Sequence, residues 1–239
     1  MKQKVFKIFM DFDGTVTQQD VGEELFRKFA EEEKVNTIIN DLLNDKISSR
    51  ECWIKLCSAV SSVNKNEIDD FIINIPLDPT FIKFKEFCKN ENIELYILSD
   101  GFDYYIEKIF VKNEINGLTV YANHLEILDG KLIPSFPYYD EASFSSANCK
   151  GNHIINHSSE EDFTVFIGDG NSDKDSIEYC DFIFAKDDLL KFCEKERITY
   201  FPFKNFDDVI KKLDELKGRK RLKKRNRAQL KRQQAYITE

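Results

Sequence analysis

The sequence predicts a three-layer α/β fold, in which helices flank a largely parallel sheet and an additional helical domain is inserted as a cap. Two observations predict this fold. Short apolar runs of strand length alternate along the 239 residues with segments whose apolar residues recur at helical spacing. Polar residues cluster directly after several of the apolar runs, as they do where parallel strands end.

The first predicted strand, Val5–Met10, ends at the segment Asp11-Phe12-Asp13-Gly14-Thr15. Side chains alternate along a strand, so Asp11 and Asp13 project to one side while Phe12 points to the other. Two carboxylates held this close repel one another unless a cation or a proton lies between them. The pair therefore predicts a Mg²⁺ site beside a phosphate, to which the following glycine and threonine offer backbone N–H groups.

A helical region follows this loop. Val21 and Leu25 lie four residues apart and share one helix face, and further stripes of the same spacing continue the pattern up to the next apolar run. These helices predict a cap domain of residues 18–75, inserted into a catalytic core of residues 1–17 and 76–216.

The rest of the chain alternates between strands and helices. Thr119–Leu128 and Lys131–Ile133, joined by Asp129-Gly130, predict a β-hairpin, because Asp-Gly is typical of a tight two-residue turn. Residues 134–147, rich in Pro, Tyr and Ser, are expected to form an ordered loop beside the site. The other predicted helices are Phe81–Asn92, Phe102–Phe110, Ile154–Glu160 and Phe206–Leu216, and the other predicted strands are Glu94–Leu98, Phe163–Ile167, Phe182–Ala185 and Tyr200–Phe203.

Three further polar sites complete a pattern that the first strand begins. Ser99-Asp100-Gly101 follows the second apolar run, Lys150 lies in a polar stretch, and Gly168-Asp169-Gly170-Asn171-Ser172-Asp173 follows a later run. An acid pair, a hydroxyl, a lysine and a second acid pair thus occur in this order. The order resembles that of the haloacid dehalogenase (HAD) superfamily with its Rossmann-like core, and the resemblance to its phosphatases extends from Val5 to about Leu216.

The resemblance implies a role for each residue of the first acid pair. Asp11 would be the nucleophile and form an aspartyl-phosphate, which water then hydrolyses. Asp13 would protonate the leaving oxygen and then take a proton from that water. Mg²⁺ would be held by Asp11, the backbone carbonyl of Asp13 and Asp169.

The remaining site residues would bind phosphate or support the metal, again by resemblance. Ser99 and the backbone N–H of Gly101 would bind phosphate oxygens, and Lys150 would neutralise charge on the phosphoaspartate. Asp173 would contact the metal site from outside its ligand set. Asp20 is either a helix cap or a substrate contact, since phosphoserine phosphatases have a substrate-binding glutamate at the corresponding spacing.

The helical insertion after the first motif resembles the phosphoserine-phosphatase-like branch. Ser99–Tyr105 and Asp181–Phe203 resemble the methionine-salvage phosphatases that act on 2-hydroxy-3-keto-5-methylthiopentenyl-1-phosphate. Lys55, not an arginine, is the basic residue nearest the cap position at which phosphoserine phosphatases hold the substrate carboxylate. The resemblance thus implies a small phosphorylated metabolite as substrate. The alternatives are a phosphoserine phosphatase, a phosphotransferase of the same superfamily and a catalytically weak phosphate-binding scaffold protein.

Composition excludes several other classes. The six cysteines show no paired metal-ligand spacing, and no apolar run approaches the ~18 residues of a membrane span, so we expect a cytoplasmic protein. Residues 217–232 contain ten Lys or Arg and no acid, whereas the remaining 25 basic residues face 43 acidic ones, a net charge of about −18. The basic tail, residues 217–239, is either a solvated or helical extension or a contact for an anionic partner.

Overall fold

The computed structural model describes residues 4–141 and 146–238. The chain divides into two compact units. The first unit comprises Met1–Val16, Leu77–Leu98 and Lys150–Glu239, and the second comprises Thr17–Pro76 and Ser99–Cys149. The second unit thus holds residues 99–149 together with the helical region of the predicted cap, while the predicted division into core, cap and tail stays a prediction.

A mostly parallel sheet confirms the predicted α/β fold. Its strand order is β4-β3-β2-β1-β5-β6-β7; β2 pairs with β1, β1 with β5, β5 with β6 and β6 with β7 in parallel, whereas β3 and β4 form the predicted antiparallel hairpin. The strands of the parallel part are almost continuously apolar because both of their faces are buried. The strands are β1 (Phe6–Met10), β2 (Glu94–Phe102), β3 (Thr119–Leu128), β4 (Lys131–Ser135), β5 (Phe163–Gly168), β6 (Phe182–Ala185) and β7 (Phe201–Pro202).

Ten α-helices lie in the described residues, and their capping follows local sequence. Ser48 and Glu51 form a reciprocal capping box at the start of α3, and Asn205 accepts a hydrogen bond from the N–H of Asp207 at the start of α9. The helices are α1 (Val21–Phe29), α2 (Glu32–Leu43), α3 (Ser49–Ala59), α4 (Lys65–Ile72), α5 (Phe81–Asn90), α6 (Asp103–Lys112), α7 (Lys150–Asn156), α8 (Asp187–Lys195), α9 (Phe206–Gly218) and α10 (Asn226–Thr238).

The register of the parallel strands aligns the ends of β1 and β5. Met10 is the register partner of Ile167, and the N–H of Asp11 donates to the Ile167 carbonyl at 3.0 Å. The segment after β1 therefore lies beside the segment after β5, and both carry acidic residues. Elsewhere in the first unit, Phe206 of α9 stacks on Phe84 of α5 with ring centroids 4.9 Å apart.

Two elements that carry predicted site residues differ from the prediction. Strand β2 continues through Ser99-Asp100-Gly101, because these polar residues are buried and hydrogen-bonded inside the strand. Helix α7 begins at Lys150, so this lysine opens a helix and does not lie in a loop. Helix α8 was not predicted, since charged residues interrupt its apolar pattern, whereas α10 agrees with the helical alternative for the basic tail. Residues 142–145 of the predicted loop over residues 134–147 lie outside the described residues.

Every helix in the described part of the chain is too short or too polar to span a lipid bilayer.

Gly22 of the second unit and Gly218 of the first unit provide a matched test of packing. A Cβ on Gly22 of α1 would lie 2.6 Å from Cη2 of Trp53, whose ring also contacts Phe102. A Cβ on Gly218, the last residue of α9, would have no neighbour within 4 Å. We expect Gly22→Ala to lower the free energy of unfolding by about 1–3 kcal/mol, because a tightly packed indole has little room to move. We expect Gly218→Ala to be neutral or to raise it by up to about 1 kcal/mol.

Urea denaturation of both variants and the wild type measures these free energies. Equal stability of the Gly22→Ala variant and the wild type would contradict the close packing of α1 against Trp53.

Candidate active site

Asp11 is buried at the end of β1 and has two donors on one oxygen. Its Oδ1 accepts hydrogen bonds from the N–H of Phe12 at 2.8 Å and from Nζ of Lys150 at 2.8 Å. These two donors hold the carboxylate in one orientation. The chain then turns tightly, with the N–H of Val16 donating to the carbonyl of Phe12 at 2.8 Å. Asp13 lies in this turn and is half-buried.

Lys150 links the segments that follow β1 and β5. It is only 2% exposed, and its Nζ donates to Oδ1 of Asp11 at 2.8 Å and to Oδ1 of Asp173 at 2.7 Å. Burial disfavours the ammonium form, but the charges of the two carboxylates outweigh it and raise the pKa of Lys150. The lysine is therefore a permanent cation at the centre of an anionic cluster.

The second acid pair is held by a tight loop after β5. Oδ2 of Asp173 accepts from the N–H groups of Asp169 and Gly170, each at 3.2 Å, and Oδ1 of Asp169 accepts from Oγ1 of Thr15 at 2.5 Å. Glycine is needed where the backbone approaches these carboxylates. A Cβ on Gly14, whose φ is +71°, would lie 2.4 Å from Oδ2 of Asp169.

Three carboxylates of the first unit form a cluster that fits a divalent metal ion. Asp11, Asp169 and Asp173 each offer an oxygen, and these oxygens lie within 4.8 Å of one another. Burial, together with the neighbouring carboxylates, raises the pKa of Asp169 and of Asp173, with the charge of Asp11 as the main electrostatic cause in both. One ammonium cannot neutralise three buried carboxylates, and carboxylate oxygens are the ligands that hard divalent cations prefer.

In the first unit, the structure brings together the acidic residues and the lysine that the sequence predicts for the site. Asp11, Asp169 and Asp173 form the cluster, Lys150 joins it, and Asp13 lies two residues from Asp11 on the connecting turn. Asp173 was expected outside the metal ligands, whereas its oxygen lies in the cluster and its carboxylate also holds Lys150. The catalytic, phosphate-binding and metal-binding roles of these residues stay predictions.

In the second unit, Ser99 and Gly101 lie inside the buried end of β2. The N–H of Gly101 donates to Oγ of Ser99 at 2.9 Å, so the two predicted phosphate-binding groups are bonded to each other. Between them, Asp100 is buried, and its Oδ1 accepts from the N–H groups of Ala147 and Asn148 at 2.9 and 2.8 Å. Asp100 thus fixes the Ser99 segment to residues that directly precede Lys150 in the chain.

Sequence reasoning missed this role of Asp100, because acidic residues near strand ends are usually solvated. Asn148 also belongs to the network, its side chain donating to the carbonyl of Ser99 at 2.8 Å. The sequence shows only that a short polar segment precedes the lysine, which does not indicate that this segment binds Asp100. Asp20, by contrast, is exposed and caps α1, where its side chain accepts from the N–H of Glu23 at 2.8 Å. Its contact with substrate stays a prediction.

Comparison with known proteins supports the resemblance that the motifs predicted. Residues 8–178 match the family described as haloacid dehalogenase-like hydrolase. Pdp3-interacting factor 1 of Schizosaccharomyces pombe is 30% identical over 227 residues, covering 90% of this chain and 97% of that protein. The 2-hydroxy-3-keto-5-methylthiopentenyl-1-phosphate phosphatase of Brevibacillus brevis is 28% identical over 216 residues, covering 89% of this chain and 97% of that enzyme.

A solved structure shows the same fold. The phospho-aspartyl intermediate analogue of a phosphoserine phosphatase matches with a TM-score of 0.68 at 23% identity, covering 88% of this chain and 99% of that one. The predicted fold class and family resemblance are thereby confirmed.

The acidic cluster makes the stability of the metal-free protein depend on pH. Folding raises the pKa of Asp169, so the folded protein keeps a proton that the unfolded chain releases near the ordinary carboxyl pKa of about 4. The wild type therefore loses stability as the pH rises from about 4 to the raised pKa of the folded state. Asp169→Asn has no such proton to release. We expect it to be more stable than the wild type in EDTA, by a margin that grows over this pH range in urea denaturation.

Asp175→Asn is the control for this measurement, because Asp175 is exposed in the same loop. A saturating divalent cation should reverse the order, since a ligand that binds the native state stabilises the wild type. A margin that does not change with pH in the absence of metal would contradict the electrostatic conflict in the cluster.

Proposed function

We propose that this chain, which belongs to the haloacid dehalogenase-like hydrolase family and is a phosphatase of that family, is a Mg²⁺-dependent hydrolase of a small phosphorylated metabolite. The observation that carries the proposal is the buried contact of Asp11 with Lys150, which also binds Asp173. This arrangement gives an oriented carboxylate nucleophile with a fixed positive charge beside it.

Asp11 is the proposed nucleophile. Because Lys150 and the N–H of Phe12 both bind Oδ1, the second oxygen of the carboxylate has a defined direction from which to attack phosphorus. Attack forms the bond from this oxygen to phosphorus and breaks the bond from phosphorus to the ester oxygen. The ammonium of Lys150 lies where negative charge accumulates on the phosphoaspartate, and it needs no reorganisation during the reaction.

Asp13 is the proposed general acid and base. It lies in the turn after Asp11 and is half-buried, so it can exchange a proton with solvent while it remains close to the nucleophile in the chain. In the first step it protonates the departing oxygen. In the second step it accepts a proton from the water that attacks the phosphoaspartate, which returns both aspartates to their starting states.

Mg²⁺ is the proposed metal, held by Asp11, Asp169 and the backbone carbonyl of Asp13, with Asp173 beside them. When bound, it neutralises charge on the phosphate and aligns the phosphate with the attacking oxygen. The carboxylate cluster supports this assignment, since the negative charge of its three carboxylates exceeds the single positive charge of Lys150. Ser99 and the N–H of Gly101 are the proposed binding groups for phosphate oxygens, and binding would replace their present mutual hydrogen bond.

The favoured substrate is 2-hydroxy-3-keto-5-methylthiopentenyl-1-phosphate. Relatives named as phosphatases of this compound match 85–89% of the chain at 28–30% identity, among them the enzymes of Brevibacillus brevis and Bacillus cereus.

Phosphoserine is the second candidate substrate. The proposed partner of its carboxylate is Arg50 of the second unit, whose guanidinium lies 4.6 Å from the ring centroid of Tyr139, because a guanidinium can bind a carboxylate through two parallel hydrogen bonds. In the sequence analysis, Lys55 was only the basic residue nearest to the corresponding cap position. Transfer of the phosphoryl group to an alcohol instead of water remains a third candidate, and product analysis with an added alcohol distinguishes it from hydrolysis.

Substitution of the two aspartates tests the mechanism. Asp11→Asn should abolish hydrolysis of p-nitrophenyl phosphate and the phosphoryl mass adduct seen after an acid quench, because no nucleophile remains. Asp13→Asn should slow hydrolysis by about 10²–10⁴-fold. Its loss should be larger for an alkyl phosphate than for the aryl phosphate, since a nitrophenolate leaves without a proton. Steady-state rates measure both effects.

Asp175→Asn is again the matched control and should keep wild-type rates. Substantial hydrolysis by the Asp11→Asn variant would refute the assignment of the nucleophile, and equal losses of the Asp13→Asn variant for both esters would refute the proton transfer.

A panel of phosphorylated metabolites tests the substrate. We expect the highest kcat/KM for the methylthiopentenyl phosphate, with phosphoserine well below it. Arg50→Ala should lower kcat/KM for phosphoserine while leaving p-nitrophenyl phosphate unchanged, because only phosphoserine carries a carboxylate. Lys55→Ala is the matched control. A preference for phosphoserine that depends on Arg50 would overturn the favoured substrate and establish the second candidate.

A further inference from the structure

The basic C-terminal segment is not wholly a solvated tail. Helix α10 belongs to the first unit, and its Arg232 is 1% exposed. A charged side chain is almost never buried to this extent unless it is paired. Arg232 therefore makes specific contacts in the interior, and those contacts show what α10 does.

The guanidinium of Arg232 binds three residues of the first unit. Its Nη1 donates to Oγ1 of Thr164 at 2.6 Å and also to the carbonyl of Tyr179, and its Nη2 donates to Oδ2 of Asp181 at 3.1 Å. Thr164 lies on β5, the strand that leads to the acidic loop. Tyr179 and Asp181 lie on the return path from that loop to β6. The guanidinium thus holds together the two ends of the segment that carries Asp169 and Asp173.

The ring of Tyr179 continues this connection to the catalytic lysine. A Cβ on Gly151 would lie 2.8 Å from Cε2 of Tyr179, so the ring is packed directly against the backbone of α7 at its second residue. The preceding residue is Lys150. A shift of Tyr179 toward α7 would therefore press on the backbone from which the lysine side chain extends, and a shift away would remove its support.

Further contacts of the same region reinforce this arrangement. The hydroxyl of Tyr236 donates to the carbonyl of Ser158 at 2.5 Å, just beyond the end of α7. Nη2 of Arg225 donates to the carbonyl of Ile177, in the short 3₁₀ turn Ser176–Tyr179 that follows the acidic loop. The C-terminal segment therefore contacts the chain just after α7, the helix that begins at Lys150, and also the 3₁₀ turn that follows the acidic loop.

We propose that α10 braces the active site and that Arg232 is a positioning residue, acting through Tyr179 and Gly151 on Lys150. The inference rests on the proposed function, since phosphoryl transfer is one of its readouts. Lys150 contacts carboxylates at 2.7 and 2.8 Å, and displacements of about 1 Å at a reacting group can cost about 10²-fold in rate. The exposed basic residues of the segment stay available for the anionic partner that the sequence predicts.

Arg232→Met in the full-length chain is the first test, with p-nitrophenyl phosphate as the substrate. We expect kcat per folded molecule to fall by about 10–100-fold while KM changes little, because a displaced lysine weakens the transition state more than the bound substrate. Arg232→Lys keeps the charge but loses the planar fork, and it should recover part of the rate. Lys231→Met, at the exposed neighbouring position, should match the wild type.

A double-mutant cycle distinguishes positioning from a purely structural role. If Arg232 acts through Lys150, then Arg232→Met should lower kcat no further in a Lys150→Ala background. Multiplicative losses would overturn the proposal, and so would an unchanged kcat of the folded Arg232→Met variant. Where Arg232→Met does not fold, Arg232→Lys serves in the same cycle.

Amide hydrogen exchange provides a readout that does not need activity. The amides of α7 and of the turn Ser176–Tyr179 should exchange faster in Arg232→Met than in the wild type, while those of α5, which packs against α9, should not. Equal protection of α7 would overturn the brace. A wild-type protein that does not hydrolyse phosphate esters would overturn the proposed function instead, and the exchange result would still decide the brace.

Discussion

The ammonium of Lys150 lies between the carboxylates of Asp11 and Asp173, and the geometry of the first unit depends on this contact. A lysine can be buried only when opposite charges offset its lost hydration. The two aspartates belong to the segments after β1 and β5, so the parallel pairing of these strands is what makes the burial possible. In return, the lysine reduces the repulsion between the two acids, which the strand register places side by side.

Two buried acids of this protein are stabilised by different means. Asp100 is bound by backbone N–H groups of Ala147 and Asn148, which satisfy its charge with fixed dipoles and leave no need for a cation. Asp169 has a threonine hydroxyl and two neighbouring carboxylates, and burial with this repulsion raises its pKa. Asp100 therefore has a structural role, whereas the negative charge of Asp169 is only partly balanced by its surroundings. That difference separates the acid that shapes the site from the acid suited to hold a metal ion.

How much of the fold and of the site could be predicted from the sequence depends on how far apart in the chain the interacting residues lie. Strand β1 and the Asp11 pair were predictable because alternation and apolar runs are local properties of the sequence. The burial of Asp100 was not, because its partners are 47 and 48 residues away. The packing of helix α10 was not predicted for the same reason: its basic composition indicates exposure to solvent, and the acid that pairs with Arg232 lies 51 residues earlier in the chain. Local pattern thus identified the candidate reacting groups, while tertiary pairing determines which charged groups contact them.

The pairing of Arg232 with Asp181 bears on why a charged helix would be packed into the first unit at all. A buried ion pair is weak evidence for stability, since well-packed apolar residues of similar volume often give a fold that is at least as stable. A fork of hydrogen bonds differs from apolar packing in being directional, because it defines the positions of Thr164, the Tyr179 carbonyl and Asp181 together. In the proposed mechanism Lys150 must reach two carboxylates, so this mechanism depends on positional control more than on stability, and an arginine at position 232 fits that requirement.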